Sequence, residues 1–257
     1  MTKLGIGLQL YTVREETAND FAGTLTKVAE MGYEGVEFAG YGGLSAEEMK
    51  ALLEKLGLKA IGSHIGLERL EGQLEEEIAY LKTIGAKYAI CPYVGDDRRA
   101  DEEAWKTLIG KLDEFGEVFA KNGLQFCYHN HAFEFEAKVD GKFVFDAMYD
   151  RVSPERLQVE IDLGWVQYAG QDPLEYVAAY KGRLPLLHLK DFREGPADQP
   201  IDTVELGNGD LDLPQLISAA EQADVEWIIV EQDRCANPPL ESVQTSIEWL
   251  KNNYLNV

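Results

Sequence analysis

The sequence predicts an α/β fold of one domain, a (β/α)8 TIM barrel over residues 1–257. Three observations carry this. Apolar runs without polar alternation, each followed by an amphipathic segment, mean a parallel sheet covered on its outer face. Eight such βα units in about 250 residues is the arithmetic of a TIM barrel. The stretch after the first apolar run reads Gln9-Leu10-Tyr11-Thr12-Val13-Arg14, without the glycine-rich phosphate loop of an open doubly wound sheet.

The strands are expected at roughly 5–11, 34–39, 59–64, 87–92, 124–130, 157–163, 184–190 and 226–232. The helices before them end in glycine, as at Gly32, Gly57, Gly85 and Gly123. Glycine lacks the Cβ that penalises positive φ, so it closes a helix and opens a short loop into the next strand. Phe21, Leu25 and Val28 share one helical face, as do Leu74, Ile78 and Leu81. Trp105, Leu108, Leu112, Phe115 and Phe119 make the longest apolar stripe. Ser45 and Glu48 have the spacing of a capping box ahead of Met49, Leu52, Leu53 and Leu56. Two connections exceed what a barrel needs. One is a small hairpin turning at Asp140-Gly141; the other is a Gly/Pro/Asp-rich loop from about 192 to 212.

Lysine and arginine number 24 against 46 acids, a net charge of −22, and most of the excess is expected on solvated helix faces such as Glu75, Glu76 and Glu77. A phosphate-tracking surface needs net cations, so nucleic acid is not the expected partner. No apolar run reaches the length of a membrane span, and the N-terminus lacks a signal-peptide pattern. Three scattered cysteines without CxxC fit a reduced compartment and neither a disulfide framework nor a cysteine-type zinc site. The expectation is a soluble cytoplasmic protein.

In a TIM barrel the reacting groups stand at the C-terminal ends of the strands. Those positions read Gln9, Glu37, His64, Tyr93, His129-Asn130-His131, Glu160-Ile161-Asp162, His188-Leu189-Lys190-Asp191 and Glu231-Gln232-Asp233, and they contain all 4 histidines of the chain. Buried carboxylates must be paired or bind a cation. Asp162, His188 and Glu231, from three neighbouring strands, suit a divalent metal ion such as Mn²⁺, Co²⁺, Fe²⁺, Zn²⁺ or Mg²⁺, with one further ligand from strand 5. The alternative is an ion-pair ring neutralised by Lys190, Arg193 and Arg234. Such an ion, bridging a carbonyl and a neighbouring hydroxyl, favours proton transfer beside the carbonyl. Glu231 and Glu160 are the candidate proton carriers, with Lys190 the third catalytic candidate; Glu160 alternatively pairs with Lys190 inside the barrel. Glu37, His64, Asn130, His131, Glu134, Trp165 and Arg193 are the candidate substrate contacts. Tyr11, Phe38, Phe133 and Trp165 are aromatic rings suited to stacking on a sugar.

Gly5-to-Tyr11 (GIGLQLY), Tyr128-His129-Asn130-His131 with Phe133-Glu134-Phe135, Asp162-Leu163-Gly164-Trp165, His188-Leu189-Lys190-Asp191-Phe192, Glu205-Leu206-Gly207-Asn208-Gly209-Asp210 and Val230-Glu231-Gln232-Asp233 resemble the sugar phosphate isomerase/epimerase family. That family lies within the xylose isomerase-like TIM barrel superfamily. The resemblance runs through nearly the whole chain, with the motifs in the family's order. It implies a divalent ion held by Asp162, His188 and Glu231, a small-molecule sugar substrate and pairing through the outer helices as a homodimer. The better-known epimerases carry a glutamate at strand 5 where this chain has His129. Either His129 ligates the ion, or Glu134 reaches back, or Glu160 is the first base. The expected reaction is isomerisation or epimerisation of a keto-sugar or keto-glycoside. Elimination by a keto-glycoside or keto-inositol dehydratase is the alternative, ahead of an apurinic endonuclease-like phosphodiesterase or a non-catalytic sugar-binding barrel.

Overall fold

The computed structural model describes residues 4–193 and 202–255. Eight parallel strands close into a barrel: β1 (Gly5–Gln9), β2 (Gly35–Phe38), β3 (Lys59–His64), β4 (Tyr88–Cys91), β5 (Gln125–His129), β6 (Gln158–Asp162), β7 (Leu186–Leu189) and β8 (Trp227–Val230). Around the barrel they follow chain order, with β8 returning to pair with β1. The register sets β5 His129 beside β6 Glu160, and β6 Asp162 beside β7 His188. The expected fold class is the one observed, one domain with the helices outside.

The strand period of two sorts the interior from the shell. On β1, Ile6 and Leu8 point outward and are fully buried under the helices. The inward positions of β1 alternate Gly5, Gly7 and Gln9. A Cβ on Gly7 would stand 2.3 Å from Ile61 Cδ1, so glycine here makes room for a large residue across the barrel. The lower interior is a plug of Ile61, Tyr88, Ile90, Cys127, Leu186 and Ile229, with Trp227 packed against it. Above the plug the interior becomes polar.

The helices close as their sequences predict. Gly32, Gly57 and Gly85 are left-handed C-caps, at φ 98°, 70° and 75°. Both halves of the Ser45–Glu48 capping box form. The helix Glu102–Lys121 buries Trp105, Leu108, Leu112 and Phe119 against the sheet, each contributing about 1.5–3 kcal/mol of transfer free energy. One expectation fails: Glu77 is not on a solvated face but buried, accepting hydrogen bonds from Tyr41 Oη at 2.7 Å and Arg69 Nε at 2.5 Å.

The hairpin is present as a two-stranded ribbon, Lys138–Val139 with Lys142–Phe143, turning through Asp140 (φ 49°) and Gly141 (φ 81°). The long connection after β7 is built rather than loose where it is described. Asp191–Arg193 pairs antiparallel with Asp202–Val204, while 194–201 lie outside the described residues. The Asp191 carboxylate accepts backbone N–H groups from Gly207 and Gly209 at 2.9 Å, Phe192 at 3.0 Å and Leu211 at 3.3 Å. The Glu205-to-Asp210 motif is thereby a loop wrapped on one carboxylate. A Cβ on Gly209 would lie 2.1 Å from Asp191 Oδ1, so only glycine fits.

Candidate active site

The polar upper interior is assembled by strand ends. Gln9, Glu37, His129, Glu160, Asp162, His188, Lys190 and Glu231 are all buried, and His64 is partly so. Asn130, just past β5, staples the next strand in place: its Oδ1 accepts from Asp162 N at 2.9 Å and its Nδ2 donates to Asp162 O at 3.2 Å. Asp162 in turn caps the following helix by accepting from Trp165 N at 3.0 Å through Oδ1, which leaves Oδ2 turned into the barrel. Over this floor opens a cavity of about 540 Å³, lined by Tyr11, Ala39, His64, Pro92, Tyr93, His129, His131, Glu231 and Asp233.

Four donor atoms, one each from His129, Asp162, His188 and Glu231, lie within 4.8 Å of one another. His188 Nδ1 is 2.8 Å from Glu231 Oε2, and His129 Nε2 is 3.8 Å from Asp162 Oδ2. Asp162 Oδ2 is buried and accepts no hydrogen bond from the described residues, although Lys190 Nζ stands 2.9 Å away out of line. Two imidazoles, two carboxylates and an orphaned carboxylate oxygen are a donor set that fits Mn²⁺, Fe²⁺, Co²⁺ or Zn²⁺. Asp162, His188 and Glu231, expected from the sequence as ligands, are thus brought together with His129, while Glu134 is not in this group. A second group of four donors, from His64, His129, Glu160 and His188, lies beneath the first.

The charges are paired throughout. Lys190 Nζ is 3.0 Å from Glu231 Oε2 and 2.7 Å from Asp233 Oδ2, and these acids with Asp162 hold its ammonium well above the usual lysine range against the pull of burial. His188 is buried, which opposes its charge, yet Glu160, Glu37 and Glu231 raise it well above the ordinary imidazole value. His131 goes the other way: burial, helped by the Lys190 cation, pushes it down to about 3. Burial thus favours the uncharged ring of His131, and among the described residues neither its buried Nδ1 nor Trp165 Nε1 has a partner.

Several predicted contacts fall elsewhere. Asn130 spends both ends of its amide on the Asp162 backbone and does not line the cavity. Glu134 is buried, accepting from Tyr128 Oη at 2.7 Å and His131 N at 2.8 Å, so it joins neither the four donor atoms nor the cavity lining. Glu37 lies in the floor, accepting from Gln9 Nε2 at 2.7 Å. Glu160 is fully buried among His64, His129 and His188 and does not pair with Lys190. A proton carrier must touch the reacting carbon, and Glu160 lies below the cavity lining. Arg193 is exposed on the ribbon after β7 and donates to Asn208 O at 2.8 Å. Among the rings, Phe38 is core, Tyr11 lines the cavity, and Phe133 stacks on His131 at 5.4 Å. The ammonium of Lys190 lies 5.5 Å from the Trp165 ring. Sequence reading did not assign Asp233 its part as the third carboxylate on Lys190; two positions beyond Glu231 on the same chain face, it carried that signal.

The family model for the xylose isomerase-like TIM barrel matches residues 25–253. The chain belongs to this family. Within it, the inosose dehydratase of Geobacillus kaustophilus is 27% identical over 82% of this chain and 79% of that protein. The inosose dehydratase of Clostridium perfringens strain 13 is 22% identical over 91% and 90% respectively. Among solved structures, a sugar phosphate isomerase/epimerase from Parabacteroides distasonis superposes with a TM-score of 0.82 at 24% identity, covering 97% of this chain and 98% of that one. The IolI protein with a bound zinc atom has a TM-score of 0.81 at 15% identity, covering 98% and 99%. This xylose isomerase-like barrel therefore shares its fold with a sugar phosphate isomerase/epimerase and with IolI, and the two relatives given above by sequence are named inosose dehydratase.

Proposed function

We propose that the protein is a divalent-metal-dependent lyase that removes water from a keto-inositol or a related keto-sugar. The observation that carries this reading is Lys190, whose ammonium stands 2.9 Å from Asp162 Oδ2 and 3.0 Å from Glu231 Oε2 within the ligand cluster. Epimerisation needs two groups that exchange protons at carbon. Elimination needs one base at carbon and one acid at the departing hydroxyl. The sequence expectation of an isomerase gives way to its alternative on this point, with the support of the relatives named inosose dehydratase.

His129, Asp162, His188 and Glu231 would hold the ion, which when bound polarises the substrate carbonyl and acidifies the neighbouring C–H. His131, which lines the cavity, is the group assigned to take the carbon-bound proton. Glu231 is the weaker candidate for that step because its Oε2 already meets His188 and Lys190. Lys190 passes a proton to the β-hydroxyl as its C–O bond breaks, so water leaves and a carbon–carbon double bond conjugated with the carbonyl remains. Trp165 Nε1, a buried donor without a partner among the described residues, supports a role for this ring in binding a substrate oxygen.

The test is incubation with an inosose and Mn²⁺ in deuterium oxide, followed by ultraviolet absorbance and mass spectrometry. The wild-type chain should give the conjugated, dehydrated product. His131→Asn should lose both deuterium exchange and elimination, whereas Lys190→Met should keep exchange and lose elimination by roughly 10²–10⁴-fold. An epimer that retains its water, formed equally well by Lys190→Met, returns the reading to an epimerase.

A further inference from the structure

The floor beneath the ligand cluster has a puzzling composition. A barrel interior can be filled with aliphatic side chains, as the plug below shows, yet here two carboxylates with no exposed surface, Glu37 and Glu160, are buried side by side. Burying such charges is unfavourable unless their partners compensate the lost hydration. Each has one oxygen without a hydrogen-bond partner among the described residues, Glu37 Oε1 and Glu160 Oε2. Their other oxygens converge on three imidazoles.

The orientation of those imidazoles is the informative part. His188 turns Nδ1 up to Glu231 at 2.8 Å and Nε2 down to Glu37 Oε2 at 2.8 Å and Glu160 Oε1 at 3.2 Å. His129 turns Nε2 up toward Asp162 and Nδ1 down to Glu160 Oε1 at 3.1 Å. His64 Nε2 joins the two carboxylates, 3.0 Å from Glu37 Oε2 and 2.8 Å from Glu160 Oε1, and its ring stacks on that of His188 at 5.5 Å. Gln9 fixes Glu37 from the far side.

We propose that Glu37 and Glu160, cross-linked by His64, are positioning residues for the metal centre. They accept the lower N–H of His188 and His129, fix the tautomer of each, and turn Nδ1 of His188 and Nε2 of His129 toward the ion. A carboxylate behind a ligating imidazole raises its basicity and locks its ring. The inference rests on the ion lying among His129, Asp162, His188 and Glu231, and it moves Glu160 from proton carrier to support.

The test is metal binding rather than turnover. Zn²⁺ affinity is measured by competition with a chromophoric chelator, and the Co²⁺ absorption spectrum reports the ligand field, for the wild-type chain and for Glu37→Gln, Glu160→Gln and His64→Asn. The wild-type chain should bind one ion. Glu37→Gln and Glu160→Gln should bind it 10–100-fold more weakly, as is typical when such outer partners are removed, with a shifted Co²⁺ spectrum. His64→Asn, which leaves both carboxylates in place, should weaken binding less than either. Metal-free melting curves identify any variant that fails to fold, and the remaining variants then decide. Undiminished affinity and an unchanged spectrum in the folded glutamine variants overturn this inference alone. Two ions per wild-type chain overturn it too, since the lower cluster would then be a metal site itself. A wild-type chain that takes up no ion overturns the catalytic reading and this inference together.

Discussion

Glu134 has no room for a charge. Burial raises its carboxyl to about 7 even though Tyr128 and the backbone N–H of His131 donate to it. In the unfolded chain the same group titrates near about 4.3. The folded state therefore binds the proton more tightly, and the associated stability is fully present below about pH 4 and lost as pH rises through about 7. Glu134→Gln carries no such proton. Thermal melts of both proteins at pH 5 and pH 8 should show the variant gaining on the wild type at the higher pH. Parallel pH dependences would show that Glu134 is not protonated in the fold. Glu134 also marks where the sequence stops being legible. A polar residue at the end of an apolar strand is readable, because the strand period dictates where its side chain points; His129, Asp162, His188 and Glu231 were expected in that way, and their donor atoms do come together. Whether a polar side chain then meets a ligand or a peptide group depends on the path of the next loop. Asn130 and Glu134 were both assigned to substrate and both turn out to hold backbone.

At the scale of elements, the helices were legible because stripe, cap and glycine stop are local signals. Replacing Ser45 by Ala removes the acceptor for Glu48 N and should cost about 1 kcal/mol in urea denaturation. Gly116 was not legible, since its reason lies across the fold. It sits inside the helix Glu102–Lys121, where alanine is ordinarily worth up to about 1 kcal/mol over glycine. A Cβ there would be 2.0 Å from the Arg156 carbonyl oxygen, while at Gly110 of the same helix it would meet nothing within 4 Å. The two substitutions should therefore have opposite signs: Gly110→Ala raises the denaturation midpoint and Gly116→Ala lowers it. If both stabilise, the Glu102–Lys121 helix does not approach Arg156 as closely as described. The connection after β7 shows the same division. Its turn-forming composition is readable, but its organising carboxylate, Asp191, is recognisable only once Gly207, Gly209 and Leu211 are folded around it.

At the scale of the whole molecule, charge links the site to stability. The chain carries −22 overall, so further buried negative charge works against folding. Around the candidate ion site Asp162, Glu231 and Asp233 face the ammonium of Lys190, and Glu231 also meets the imidazole of His188, so carboxylates outnumber the cationic groups beside them. A divalent ion would add positive charge there, and the residues that would hold it come from strand ends spread over half the barrel, β5 through β8. An ion bound only by the folded state stabilises it by about 2.7 kcal/mol at 100 times its dissociation constant, which for a domain of this size corresponds to roughly 5–10 °C in Tm. Melting with Mn²⁺ should therefore run that far above melting with a chelator. Asp162→Asn separates charge from architecture, because an amide oxygen can still accept from Trp165 N. Burial holds the Asp162 carboxyl above its ordinary range even beside Lys190, so removing the charge relieves the metal-free protein. Asp162→Asn should melt no lower than the wild type in chelator and should lose the increment from Mn²⁺. An equal increment in both proteins would mean that the ion binds elsewhere, and the polar floor of the barrel would then need a different explanation.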